Sequence, residues 1–190
     1  MSAVTLDPAT HRYAVDGRHV PGVTEILRAA GLTPSMEWVT DYALDRGRQV
    51  HAAIALDAEG ALDEASVDPV VAPRLAAYRA FRAAAGARLE VVEIETPRYH
   101  EGLRFCGTLD QLVRWDGALS VLELKTGPKE KHHPLQVGGY QELVGAPTGL
   151  VLYLSSDGSY KLDTVERDAR TAFLVCLQLW HVKERWGCHS

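Results

Sequence analysis

The spacing of hydrophobic and polar positions changes along this chain, and each change predicts an element. Residues 12–20 carry Asp16 and Gly17 at their centre, a pair that favours the tight turn of a β-hairpin. Helical spacing of apolar residues follows to about residue 60. An alanine-rich segment at 70–85, with a glycine directly after it, predicts a further helix. The N-terminal half should therefore be a hairpin followed by helices.

Strand-like runs dominate the second half of the chain. Three strands are expected, at 89–96, 108–115 and 121–125. An Asp-Gly turn signal separates the second from the third, so these two strands should be antiparallel neighbours. The remaining predictions are a helix containing Gln136, strands near 150–155 and 160–163, and a helix at 166–186 that places Phe173, Leu174, Leu177, Trp180 and Val182 in the core. This order of elements indicates an α/β fold.

Composition narrows the class of protein. The 190 residues, 46% of them hydrophobic, suffice for one domain with a single core. No run is long and apolar enough to span a membrane, and the N-terminus lacks the pattern of a signal peptide, so we expect a soluble, intracellular protein with no membrane partner. Cys106, Cys176 and Cys188 are widely spaced, which argues against a zinc knuckle or a disulfide framework and favours reduced thiols.

The strand at 121–125 carries the first candidate chemistry. Successive side chains of a strand point to opposite faces, so Glu123 and Lys125 should share one face while Leu122 and Leu124 share the other. Glu123 and Lys125 then stand roughly 6.6 Å apart along the strand, which suits a metal-bound carboxylate and a lysine that reach the same phosphate. The alternative is that both charges lie on the solvent face of the strand.

A second carboxylate belongs to the neighbouring strand. Asp110 lies within the run predicted at 108–115, and antiparallel pairing would bring it beside Glu123. Two adjacent carboxylates repel each other, which raises the pKa of one of them unless a divalent cation lies between them. Ligands that are all oxygen favour Mg²⁺ or Mn²⁺ over softer metals.

With Asp110, Glu123 and Lys125 so arranged, the sequence resembles the PD-(D/E)XK nuclease superfamily, and within it the RecB-like exonuclease branch of phage recombination and DNA repair. The resemblance implies a restriction-endonuclease-like αβββαβ core, with a central mixed sheet flanked by helices. It implies that Asp110 and Glu123, aided by the Leu124 backbone carbonyl, hold one or two Mg²⁺ or Mn²⁺ ions. Lys125 would orient the attacking water. Leu109 stands where the superfamily has its proline.

A Q-x-x-x-Y motif of the same branch is matched by Gln136 and Tyr140. At this spacing on a helix both side chains share one face, and the resemblance implies that both bind the DNA backbone. The alternative is an ordinary amphipathic helix with Tyr140 in the core. Gly138 and Gly139 lower helix propensity between them and indicate a close approach of another backbone.

Two upstream candidates complete the predicted metal site. Gly47 and His51 lie one helical turn apart and resemble the histidine motif of the branch, in which the histidine ligates or neighbours a second metal. An ordinary surface or core histidine is the alternative. Glu95, or its strand neighbour Glu93, precedes the Asp110 strand and is a further candidate to support the metal directly or through water. Glu93 and Glu95 should share one face of their strand, and the alternative is that this face is solvated.

The charge distribution bears on DNA as a partner. A net charge of −5 counts against indiscriminate DNA binding, because phosphate contacts need clustered lysine and arginine. Acidic residues gather at 57–68, away from the candidate site. Basic side chains gather near it, namely Lys125, Lys129, Lys131, His132 and His133. Lys129 and Lys131 are therefore predicted to bind DNA, with a solvated loop as the alternative.

The function implied by the resemblance is that of a metal-dependent DNA nuclease, an exonuclease acting on single- or double-stranded DNA in the bacterial or phage-infected cytoplasm. A recombinase, a single-strand-binding protein or a helicase would be its protein partner. Residues 1–190 would form one domain, divided into 1–88 with His51, the sheet core at 89–164 and a helix at 165–190. Three cysteines cannot supply a four-cysteine iron–sulfur cluster. The alternatives are a partner-dependent or non-catalytic DNA-binding module and a structure-specific endonuclease.

Overall fold

The computed structural model of the protein describes residues 4–7, 10, 12–33 and 40–188. The strands in these ranges are β1 (Val4–Asp7), β2 (Arg12–Val15), β3 (Arg18–Val20), β4 (Leu89–Ile94), β5 (Pro97–His100), β6 (Phe105–Thr108), β7 (Gln111–Trp115), β8 (Ala118–Lys125), β9 (Thr148–Leu154) and β10 (Tyr160–Thr164). The α-helices are α1 (Val23–Ala29), α2 (Asp41–Glu59), α3 (Ala72–Ala85), α4 (His133–Val144) and α5 (Asp168–Trp186). No helix among the described residues is long and apolar enough to cross a membrane.

A five-stranded mixed sheet forms the centre of the fold. Its strand order is β10-β9-β8-β7-β4, in which β8 and β9 are parallel and the other neighbours are antiparallel. The α2 and α3 helices pack on one face around a cluster that includes Ile54, Tyr78 and Leu122. The α1, α4 and α5 helices cover the other face around a cluster that includes Ile26, Val121 and Phe173. The predicted mixed α/β architecture is thus confirmed.

Because both faces of the central sheet are covered, β8 is buried on both sides. Leu122 and Leu124 lie in the cluster under α2 and α3, as the alternation predicts. Glu123 points to the opposite face, where it is only 2% exposed. The alternative of a solvated face is therefore wrong for Glu123, and a buried carboxylate requires a compensating partner.

The N-terminal hairpin is confirmed as the β2–β3 pair. Asp16 and Gly17 have φ values of 50° and 77°, the left-handed conformation at both turn positions that twists in the same sense as the strands. β1 pairs with β2 as a third strand. Of the helical stretch expected after this hairpin, residues 34–39 lie outside the described part of the chain.

An unpredicted hairpin, β5–β6, lies between β4 and β7. It forms a separate two-stranded sheet and packs against the N-terminal sheet through Cys106, Tyr13 and Val20. Its pairing partners are distant in the sequence, since Cys106 donates its N–H to the Pro21 carbonyl. Five strands therefore lie between the alanine-rich helix and Gln136, where three were predicted.

The C-terminal helix needs one correction. Phe173 and Leu177 are fully buried, and Leu174 and Trp180 pack against the same cluster, as predicted. Val182 was expected in the core but is 51% exposed, because it lies on the outer face of α5 together with exposed Val175 and Leu179. The cysteines behave as small apolar residues, since Cys106 and Cys176 are buried, while Cys188 is exposed.

Gly138 and Gly139 allow α4 to approach its neighbours closely, as their sequence position indicated. A Cβ on Gly138 would lie 2.5 Å from the Ala169 backbone oxygen of α5, and one on Gly139 would lie 2.8 Å from the Phe173 ring. A backbone oxygen cannot rotate away as a side chain can. Glycine is therefore required at residue 138 for the close packing of α4, which carries Gln136, against α5.

Replacing Gly138 by alanine is expected to lower the free energy of unfolding by about 3 kcal/mol, because the added methyl group overpacks a backbone contact. The matched control is Gly47→Ala in α2, where a Cβ would meet only Thr126 at 3.6 Å. Alanine at residue 47 should raise the free energy of unfolding by about 0.5 kcal/mol, because alanine favours a helix more than glycine does. Urea unfolding of both variants measures the difference, and equal stabilities would contradict the packing interpretation.

Candidate active site

The candidate site lies where β7 begins beside the C-terminal end of β8. Asp110 was predicted within a strand, but it occupies a bend directly before β7. The reason is that its carboxylate takes the place of a backbone hydrogen-bond acceptor beside β8. Its Oδ2 accepts the Leu124 N–H at 2.7 Å, beyond the last β7–β8 pair of Gln111 with Leu122. The Asp110 carbonyl accepts the Glu95 N–H at 3.1 Å. Backbone groups on two strands therefore fix Asp110.

The Leu124 backbone gains a particular orientation from this contact. In a strand, the N–H and the C=O of one residue point towards the same neighbouring strand. Since the Leu124 N–H is directed at Asp110, its carbonyl lies on the same side of β8, past the start of β7. The role of this carbonyl as a metal ligand beside Asp110 stays a prediction.

Glu123 and Lys125 are brought together on one face of β8, as predicted. Lys125 Nζ lies 2.8 Å from Glu123 Oε1 and also donates to Gln136 Oε1 at 2.9 Å. Burial, reinforced by the charge of Asp110, raises the pKa of Glu123 to about 7. Burial opposes the charged form of Lys125, but Glu123 and Asp110 outweigh it and raise the pKa of the lysine. The site thus holds a lysinium against a carboxylate that it stabilises.

His51 reaches the site from α2, on the sheet face opposite α4. Its Nδ1 lies 3.2 Å from Asp110 Oδ1. Burial disfavours the imidazolium, yet the charge and hydrogen bond of Asp110 prevail and raise the pKa of His51 to about 9. For Asp110 itself, burial is likewise outweighed by His51 and Lys125, so the pKa of that carboxyl is lowered. The predicted proximity of His51 to the acidic pair is present in the fold.

The two upstream glutamates do not share a face, because the backbone turns between them. A register shift follows Val91 in β4, and Glu95 has φ +46°, an uncommon conformation for a residue with a side chain. Glu93 forms an ion pair with Arg98. Burial, together with the charge of nearby Asp110, raises the pKa of Glu95. Glu95 is therefore the glutamate that faces the acidic pair.

Gln136 and Tyr140 share one face of α4, and the structure links them to the lysine. Gln136 accepts from Lys125 and donates through Nε2 to the Tyr140 hydroxyl at 3.1 Å. Tyr140 is only 5% exposed and belongs to the apolar cluster under α4, as the alternative for this motif described. The buried Tyr140 hydroxyl accepts this hydrogen bond and so holds the Gln136 side chain in place. Contact of Gln136 with a DNA strand stays a prediction.

The predicted basic residues of the following loop are not grouped with the acidic pair. Lys129 Nζ donates to Asp163 of β10 at 2.7 Å. Lys131 is exposed on the loop before α4. Their roles in DNA binding stay predictions, and the structure brings only Lys125 of the three lysines to the carboxylates.

A cleft of about 310 Å³ opens the site to solvent between α2 and the loop after β8. The expected open position at Gly47 lies in it, beside His51 and Lys125. Arg48 also lines the cleft and was not singled out from the sequence, although it directly follows Gly47 in the histidine motif. His133, expected among the basic side chains near the site, also lines the cleft, but burial lowers its pKa to about 3, so it stays neutral beside Tyr153.

The donor set fits a hard divalent cation. In the described part of the chain, no group of three or more His, Cys, Asp and Glu side chains is already placed to hold a metal ion. Lys125 and His51 instead occupy one oxygen each of Glu123 and Asp110. Glu123 Oε2, however, is buried with no hydrogen-bond partner among the described residues. A buried carboxylate oxygen without a partner is costly, and a cation would satisfy it.

Comparison with known proteins gives solved structures but no sequence family. No protein-family model matches the chain, and no curated protein matches it. A phage related exonuclease from Haemophilus somnus 129PT is 12% identical, with 84% of this chain and 88% of that chain covered and a TM-score of 0.45. The alkaline exonuclease LHK-Exo of Laribacter hongkongensis, in complex with dAMP, is 14% identical, with 88% and 93% covered and a TM-score of 0.45.

The structure of SSO0001 is 16% identical, covers 84% of this chain and 81% of its own, and has a TM-score of 0.37. Exonucleases are thus among the solved structures similar to this chain. The function proposed for this protein rests on the geometry of its own residues.

Proposed function

We propose that this protein is a Mg²⁺- or Mn²⁺-dependent DNA nuclease of the PD-(D/E)XK type, acting as an exonuclease. One observation supports the proposal above the others. Asp110 and Glu123 lie beside Lys125, which lines an open cleft, and a buried oxygen of Glu123 has no partner among the described residues. Such a group of charges is costly to bury and has no evident structural need, which favours a catalytic role.

Asp110, Glu123 and the Leu124 carbonyl are the proposed metal ligands, with His51 at a second position and Glu95 in support. A bound divalent ion supplies a Lewis acid that polarises a phosphoryl oxygen and lowers the pKa of water. The protein then contributes fixed positions: backbone N–H groups hold the Asp110 carboxylate and carbonyl, so it need not reorganise when charge develops.

Lys125 is proposed to orient the attacking water and to stabilise negative charge on the phosphate. Its Nζ is held by Glu123 and Gln136, which leaves one ammonium hydrogen for the substrate. Gln136 in turn is held by Tyr140, so the ammonium group has a defined direction. A group that is held in place before reaction stabilises the transition state without a further loss of conformational entropy.

The fold supports a wider assignment as part of this proposal. We assign α3, β4, β7, β8, α4 and β9 to the αβββαβ core of the superfamily, with β5–β6 as an insertion. Residues 1–190 would work as one nuclease domain in the bacterial or phage-infected cytoplasm, in recombination or repair. A recombinase, a single-strand-binding protein or a helicase would deliver the DNA end.

The test compares end-labelled linear DNA with covalently closed circular DNA, in single- and double-stranded forms, each with Mg²⁺, Mn²⁺ or EDTA. We expect metal-dependent loss of the linear forms only, because an exonuclease requires an end. Cutting of circles would replace the assignment by an endonuclease. DNA binding that is equal with and without metal, and no cutting of any form, would replace it by a DNA-binding module.

A further inference from the structure

A second cleft, of about 480 Å³, lies at the opposite end of the β5–β6 hairpin from Asp110. Three elements form it: the β2–β3 turn, the turn between β5 and β6, and the C-terminal part of α5. The side chains that give it its character are Arg18, His19, Tyr99, Arg104, Trp180 and His181. Two arginines and two aromatic rings thus face one space that the proposed catalytic chemistry does not use.

The arginines of this cleft are available to a ligand. Arg18 and Arg104 are exposed, and neither side chain has a hydrogen bond or ion pair to another described residue. His19 is paired with Glu25 at 3.2 Å, and Asp16, the carboxylate of the lining, has an interaction of its own. On a chain of net charge −5, the lining of this cleft carries two arginines against one carboxylate.

The walls of the cleft are held in place. His181 Nε2 lies 3.1 Å from the Leu103 carbonyl oxygen, which ties α5 to the β5–β6 turn. The rings of Trp180 and His181 are 5.2 Å apart in an edge-on arrangement. Tyr99 packs against the cluster of the N-terminal sheet on the other side. Aromatic rings fixed on firm elements are suited to stacking flat groups, because little side-chain entropy is lost on binding.

Arg104 has a backbone conformation that its side chain disfavours. Its φ is +55°, and the other described non-glycine residues in this region are Asp16 and Asp116 of the two Asp-Gly turns and Glu95 of the candidate active site. Aspartate tolerates this region, whereas arginine gains nothing there and glycine would relieve the strain. An arginine at this position is better explained by its charge than by the turn.

We propose that this cleft binds single-stranded nucleic acid, with Arg18 and Arg104 on successive phosphates and with bases against Trp180 and Tyr99. A cationic groove combined with aromatic platforms is the general form of sequence-tolerant single-strand binding. β6 connects Arg104 to Asp110 over roughly 20 Å, so a strand held here can continue towards the candidate active site. The proposal concerns binding alone and does not rest on the proposed nuclease function.

The test is fluorescence anisotropy with a labelled oligothymidine of about 12 nucleotides in EDTA, which prevents cleavage. The variant is the double substitution Arg18→Ala, Arg104→Gly. We expect about tenfold weaker binding, and a salt dependence lower by about 0.7 for each lost phosphate contact. The charge-matched control is Arg82→Ala, Arg167→Ala, two exposed arginines outside the cleft, which should change the affinity less than about twofold.

A folding defect should not cause the weaker binding of the double variant, because glycine suits the backbone at residue 104. The double variant should unfold at the same or a higher temperature than the parent.

Tryptophan fluorescence should be quenched by the oligonucleotide, and Trp180→Phe should remove most of the quenching. Equal loss of affinity in the cleft and control variants would overturn the proposal. So would displacement of the oligonucleotide by polyglutamate of equal charge, which would reassign the cleft to acidic peptides. Metal-dependent cleavage, measured separately, reports on the proposed nuclease function.

Discussion

The Asp110→Asn protein is expected to cut DNA about 10³-fold more slowly than the parent with saturating Mg²⁺, because loss of a metal ligand removes about 4 kcal/mol of transition-state stabilisation. Asparagine retains an oxygen that can accept the Leu124 N–H, so the bend before β7 should persist. The measurement is the initial rate of nucleotide release from a labelled end. Calorimetric titration with Mn²⁺ should show that the variant has also lost metal binding.

Asp116→Asn is the matched control for Asp110. Asp116 undergoes the same change of charge, lies in a left-handed turn that asparagine accepts, and pairs with Arg88 on the surface. Its cleavage rate should stay within about twofold of the parent, as for other surface positions. If both variants lose the same activity, or if Asp110→Asn retains full activity, the acidic pair is not the catalytic metal site.

Lys125→Met is expected to lower the cleavage rate by about 10²-fold while metal binding is retained or tightened. The rate should fall because the variant lacks the ammonium group that is proposed to stabilise negative charge on the phosphate. Metal binding improves because Glu123 loses the cation that occupies its Oε1. Opposite effects on rate and metal affinity distinguish this residue from Asp110, for which both should fall. Single-turnover rates and Mn²⁺ titration of the same preparation provide the two values.

The control for Lys125 is Lys161→Met on β10. Lys161 is exposed and lies 3.4 Å from Asp163, which keeps its other partner, Lys129, when Lys161 is removed. The control should match the parent in rate and in metal affinity. Weaker metal binding by Lys125→Met would mean that the lysine organises the acidic pair and does not compete with metal for it.

The sequence predicted those features of the site that depend on neighbouring residues. The alternation of β8 set the faces of Glu123 and Lys125, and the Asp-Gly turn set the antiparallel partner that brings Asp110 close. The spacing of Gln136 and Tyr140 set their shared helical face. In each case the local period of a strand or a helix fixes the result, so distant contacts do not alter it.

Features that depend on distant contacts were not predicted. The β5–β6 hairpin packs against the N-terminal sheet, which stabilises it. Its own residues lack the alternating pattern that predicts a strand. The separation of Glu95 from Glu93 comes from a register shift and a left-handed residue, which periodicity does not reveal. The ion pair of Lys129 requires β10, which lies far along the chain. Tertiary placement decides such cases, as it does for most strand pairings.

The pairing of Asp110 with His51 and of Glu123 with Lys125 has a consequence for when the metal would be bound. Each of the two carboxylates already has a cationic side chain against one of its oxygens. An incoming Mg²⁺ must displace or share these contacts, and its intrinsic affinity should therefore be modest. A DNA phosphate that brings further oxygen ligands and attracts Lys125 would favour that exchange. Metal and substrate would then bind cooperatively, and the protein alone in the cell would be largely metal-free and inert.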